Sequence, residues 1–111
     1  MPDELPLLFE QIRDLLGQAQ AGGASKELAD VEHTLTDGYA SALALEGERW
    51  RIEKKIAELA LRLKDQTQAR ELHVLALRLS SADAELTELR RLLAALRDYA
   101  ESLRIAAAAT R

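Results

Sequence analysis

The stretch LRLKDQTQAREL, residues 61–72, interrupts a seven-residue beat of apolar side chains that runs on both sides of it. Ahead of it, one seam reads Leu28, Val31, Leu35, Gly38, Ala42, Leu45, Arg49, Ile52, Ile56, Leu59 and Leu63. Behind it, a second seam reads Leu72, Leu75, Leu79, Ala82, Leu86, Leu89, Leu93, Leu96, Ala100, Leu103 and Ala107. Steps alternating between three and four residues are the a/d spacing of helices that pack along their length. The seams are out of phase. Leu63 predicts the next a position at Arg70, whereas the second set begins at Leu72.

Three readings of the slip compete. The stretch is the tip of an antiparallel hairpin, a stutter in one long helix, or an incidental irregularity before a turn at LSSAD (79–83). Residues 28–63 and 72–107 form arms of equal length, which favours the hairpin, since an arm longer than its mate leaves apolar residues bare. KDQTQARE (64–71) carries neither Gly nor Pro, so the commonest helix-stop chemistry is missing. Thr67 or Asp65 is then the residue to cap the returning helix. The turn at 79–83 offers Ser80 or Ser81 as a better cap and leaves unequal arms. Symmetry decides for a tip near 65–70.

Working outward, residues 1–21 read as a separate amphipathic helix. Leu5, Leu8, Phe9, Ile12, Leu15 and Leu16 share one helical face. Asp3 is placed to cap it, and Pro6 is tolerated in a first turn. Residues 22–25 form a Gly-rich linker, with Gly22 and Gly23 as the break and Ser25 as the next cap. Residues 26–111 are the hairpin. The fold expected is all-α: a long antiparallel, coiled-coil-like hairpin with a short N-terminal helix. It completes either a three-helix bundle or a dimeric four-helix bundle. Leu43 and Trp50 lie seven residues apart outside the seam, Ala57 continues the row, and the first helix is one candidate to cover it.

Composition agrees with long helices. Of 111 residues, 48% are apolar and only 4% aromatic, and the two prolines are Pro2 and Pro6. No cysteine is present, which removes disulfides, thiolate metal sites and a Cys nucleophile. The first residues, MPDELPLLFE, carry acid where a secretory leader needs positive charge, and no apolar run is long enough to span a bilayer. A cytoplasmic location is expected. The net charge of −4 hides a polarity: residues 26–48 hold Lys26 against six acids, and residues 49–64 hold six bases against Glu53 and Glu58. Such a gradient orients a partner or sets antiparallel self-pairing.

Candidate sites are few. In ERWRIEKK (48–55), Trp50 sits among Arg49, Arg51, Lys54 and Lys55, a combination that would stack a base and hold its phosphates. Net acidity and the lack of a nucleic-acid-binding motif favour a helix–helix contact for the indole instead. Arg49 falls on an a position, where one polar residue often fixes register, with Glu46 or Glu85 to neutralise it. Gly38 is the other seam oddity, permitting close approach or a kink. Asp30, His33 and Asp37 share a helical face at metal-ligand spacing, but no second acid-x-x-His pair exists, so no metal site is expected. No glycine-rich phosphate loop or nucleophile elbow is present, so neither catalysis nor a cofactor is expected.

Two families of small helical hairpins do not fit. The WXG-type pattern needs Trp-x-Gly at the bend, and Trp50 is followed by Arg51 and Ile52. Anti-sigma hairpins that hold cyclic di-GMP share the spacing of Arg62 and Gln66 but need Ser at Leu59 and Asp at Arg70. The expectation is a non-enzymatic protein–protein interaction module: an adaptor, a scaffold or a small regulator. Leu8, Phe9, Ile12, Leu43 and Trp50 are its expected contacts with a partner or a second copy, most simply as a two-fold dimer. The alternative is a nucleotide or nucleic-acid binder using Trp50 with Arg49, Arg51, Lys54 and Lys55 as the anion site.

Overall fold

The protein is all-α. A computed structural model describes residues 5–20 and 28–109, and in it three helices follow one another: α1 (Leu5–Gln20), α2 (Leu28–Leu61) and α3 (Gln66–Ala109). The expected cap Asp3, the Gly22–Gly23 break and the Ser25 cap lie outside the described residues, as do the outer ends of the 1–21 and 26–111 segments. Pro6 sits in the first turn of α1, where its missing N–H has no helical acceptor to lose. Among the described residues, no helix is long and apolar enough to cross a membrane.

The break between α2 and α3 falls at residues 62–65, inside the stretch that disrupts the heptads and slightly ahead of Thr67. It works without Gly or Pro because polar groups take up the helix-end backbone. The Arg62 N–H donates to the Leu59 carbonyl at 3.0 Å, tightening the last turn of α2. The Arg62 Nε–H donates to the Glu58 carbonyl at 3.4 Å. At the start of α3, Asp65 is the cap: its Oδ1 accepts from the Gln68 N–H at 2.9 Å, and its carbonyl accepts the first helical bond from Ala69 at 3.2 Å. Gln68 reaches back, its Oε1 accepting from the Lys64 N–H at 2.5 Å. The pair is a capping box displaced by one residue on its return arm. Ser80 and Ser81 lie within continuous α3. Leu63, expected on the seam, belongs to the turn and is exposed.

The helices divide between two packed units. The first comprises residues up to Ala42 together with Leu89 onward, so it combines α1 with the beginning of α2 and the end of α3. Its buried residues go beyond the two seams. Thr34 is buried beside Val31 and Leu35, and Leu92 beside Leu89, Leu93 and Leu96. A buried face wider than an a/d stripe is what a third helix requires. α1 supplies it with Leu5, Leu8, Ile12 and Leu15, all buried. Gly38 has a definite job here: a Cβ at this position would collide with Leu93 Cδ2 and lie 3.3 Å from Leu93 Cγ. The glycine lets a leucine of α3 reach the α2 backbone. Arg104 ties the helices at the rim, donating to Glu32 and Glu101 at 3.2 Å each.

The second unit, Leu43–Glu88, holds the end of α2, the turn and the beginning of α3. Ile52, Leu59 and Leu75 form its cluster, with Ile56, Leu72 and Leu79 partly buried against them. Leu45, Ala82 and Leu86 are also buried. This is the a/d seam of two antiparallel helices and nothing wider. Arg49 sits at the rim of that seam with its side chain 41% exposed, donating to Glu53 and Asp83 at 3.1 Å each. These two partners lie one turn onward on α2 and across on α3. Water still reaches the guanidinium, so the pairing carries little desolvation cost.

Candidate functional site

The outer surface of α2 in the second unit is where exposed apolar groups form a row. Leu43 is 70% exposed and Trp50 is 62% exposed, seven residues apart, with exposed Ala57 next in the series. These are b positions of the heptad that begins at Leu28, turned away from the seam. The indole is not bare: the Lys54 Nζ lies 5.3 Å from the ring centroid, one helical turn along. Gly47, on the preceding turn, presents no side chain beside it, and a Cβ there would meet only the Arg51 guanidinium at 3.5 Å. The result is a projecting, largely exposed aromatic plate with a cation over the ring.

The four bases proposed for an anion site do not converge on that plate. At about 100° per residue, Arg51 points about 100° and Lys55 about 140° away from Trp50, and Arg49 points about 100° the other way. Arg49 is engaged by Glu53 and Asp83. Lys55 lines a different feature, an open groove shared with Arg62, Arg78, Glu58 and Glu71 over Val74. Acids and bases alternate around that groove. Arg78 also faces Glu48 at 3.9 Å. Of the four, Lys54 is the base that the fold places over the indole.

The expected contact residues of the first helix have another role. Leu8 is 5% exposed and Ile12 is fully buried, both inside the first unit, and Phe9 is half-buried with Arg13 lying 5.3 Å from its ring centroid. Leu8 and Ile12 are core of that unit, Phe9 keeps part of its ring exposed, and Leu43 and Trp50 keep their exposure.

Asp30, His33 and Asp37 are all exposed on α2, with His33 Nε2 3.5 Å from Asp37 Oδ2. Among the described residues, no three His, Asp or Glu side chains come together in a metal-holding cluster. Periodicity alone did not mark out several further exposed apolar residues: Leu61, Val74 and Leu77 in the second unit, and Leu7, Tyr39 and Ile105 in the first. They stand off the a/d seams, and that offset was the available signal. Comparison with known families, curated proteins and solved structures finds no match for the chain.

Proposed function

We propose that the chain is a non-enzymatic protein–protein interaction module, working as an adaptor, scaffold or small regulator through the Leu43–Trp50 face of α2. One observation carries the reading: the sole tryptophan of the chain stands exposed, aligned with an exposed leucine, on a helix whose other large apolar residues are mostly packed. Tryptophan is over-represented where interfaces concentrate their binding energy, because a large rigid surface is removed from water at small entropic cost. Helix-in-groove recognition anchors residues at such helical spacings.

The indole and its single overlying lysine also bear on the rival reading. Base stacking needs an open π-face with cations placed along a phosphate track. Here the remaining bases are distributed around the helix or engaged with carboxylates, and this supports a protein contact over a nucleic-acid contact.

The test is site-specific photo-crosslinking in the source cells, with a benzophenone amino acid replacing Trp50. A discrete product containing a protein, identified by mass spectrometry, is expected. Absence of any protein adduct at position 50, alongside salt-sensitive binding of single-stranded oligonucleotides by the purified chain, would overturn the reading in favour of nucleic acid.

A further inference from the structure

The tip of the hairpin sets exposed leucines among bases, and we infer that it docks end-on against the surface of an anionic lipid bilayer. The inference goes beyond the protein-contact reading and stands without it. Leu61, 89% exposed, is the most open large apolar side chain among the described residues, and Leu63 is 46% exposed. They alternate with bases in LRLK (61–64), where α2 ends and the turn begins. Residues 61–70 hold Arg62, Lys64 and Arg70 against Asp65, a net charge of +2 in a chain of −4. Asp65 is engaged at the α3 cap by the Gln68 N–H. The next acids, Glu58 and Glu71, line a groove with Lys55, Arg62 and Arg78. From Lys54 to His73 the net charge is accordingly still +2.

Size and backbone chemistry choose a lipid surface over a folded partner. The turn is only residues 62–65. With two leucines it offers far less than the about 800 Å² that each side of a stable protein interface buries. A fluid bilayer needs no matching shape: leucines enter the boundary between headgroups and chains, and bases stay with the anionic headgroups. The backbone of the tip is also prepared for that boundary. The Arg62 and Ala69 N–H groups donate to the Leu59 and Asp65 carbonyls, and those of Lys64 and Gln68 donate to Gln68 Oε1 and Asp65 Oδ1. A turn that satisfies its own polar groups loses less on approaching an apolar layer. Trp50 lies about 16 Å along α2 from Leu61, beyond the about 5–10 Å depth of such contacts, and takes no part in an end-on one.

Co-sedimentation of the full chain with lipid vesicles tests this. Vesicles of phosphatidylcholine with about one-third phosphatidylglycerol are expected to carry the chain down, and vesicles of phosphatidylcholine alone are not. Raising the salt concentration should release it. Leu61→Ser combined with Leu63→Ser should weaken binding about tenfold, and Lys64→Gln or Arg70→Gln about fivefold each. All four side chains are exposed, so circular dichroism should stay unchanged and lost binding does not report lost folding. Trp50→Ala should bind as the unmodified chain does. No sedimentation with the anionic vesicles overturns the inference, as do leucine variants that bind undiminished. A loss in Trp50→Ala as large as theirs means side-on contact and overturns it as well. So does a benzophenone amino acid at position 61 that crosslinks in the source cells to one discrete protein and not to lipid. None of these outcomes bears on the crosslink at position 50, so the two readings fail separately.

Discussion

The two units solve the same problem with different numbers of helices. In the first, α1 joins α2 and α3, and the buried face widens to include Thr34 and Leu92. Ile12, Val31, Leu89, Leu96 and Ala100 there reach complete burial. In the second, α2 and α3 have only each other, and the same heptad pattern leaves Ile56, Leu72 and Leu79 partly exposed. Two helices touch along a stripe, and side chains at its edges keep contact with water whatever their identity. A third helix closes that edge. The difference teaches that heptad quality does not set burial: the number of neighbours does.

The comparison can be broken most directly by truncating one core isoleucine in each unit. Ile12→Ala removes a side chain with no exposure and should destabilise the protein by about 3–4 kcal/mol, whereas Ile52→Ala should cost about 2 kcal/mol. Urea denaturation of the two variants, with amide hydrogen exchange to locate the loosening, measures the gap. Equal losses would mean that the third helix adds nothing to packing.

A smaller effect is expected at the close approach of the first unit. Gly38→Val forces a side chain into the space of Leu93 and should destabilise by about 2 kcal/mol, although glycine is itself the poorer helix former. Combining it with Leu93→Ala should recover part of the loss. A stabilised Gly38→Val would show that Leu93 moves aside freely.

The smallest effect belongs to the turn of the second unit. Asp65→Ala removes the oxygen that accepts from the Gln68 N–H and should cost about 1 kcal/mol. Asp65→Asn keeps an acceptor and should cost only a fraction of that. Thermal melts of both variants check the order, and an unchanged melting temperature for Asp65→Ala would leave the turn without its proposed stop.

Much of this architecture was legible because helical periodicity is a local property. The slip between Leu63 and Leu72 marked the region of the turn, and the acid-x-x-Gln pattern of Asp65 and Gln68 holds the capping chemistry in plain sight. The position of the cap was less legible, because Leu63 continues the heptad on paper while its backbone has already left the helix. The candidate site was half legible. Leu43 and Trp50 stood off the seam by their spacing, and they are exposed. Leu8, Phe9 and Ile12 looked equally free, since an amphipathic helix shows its apolar face in sequence without showing what it packs on.

What the sequence by itself determined is helicity, the order of the helices, the antiparallel seam and the side of α2 on which Trp50 projects. All of these follow from 3.6-residue periodicity and end-capping, which act over a few residues. What only the tertiary structure decided is where the face of α1 goes, which carboxylates take Arg49, and why Gly38 must be glycine. Each depends on which surfaces meet across tens of residues of chain. Packing contacts are short-ranged in space and indifferent to separation in sequence, so no local pattern encodes them.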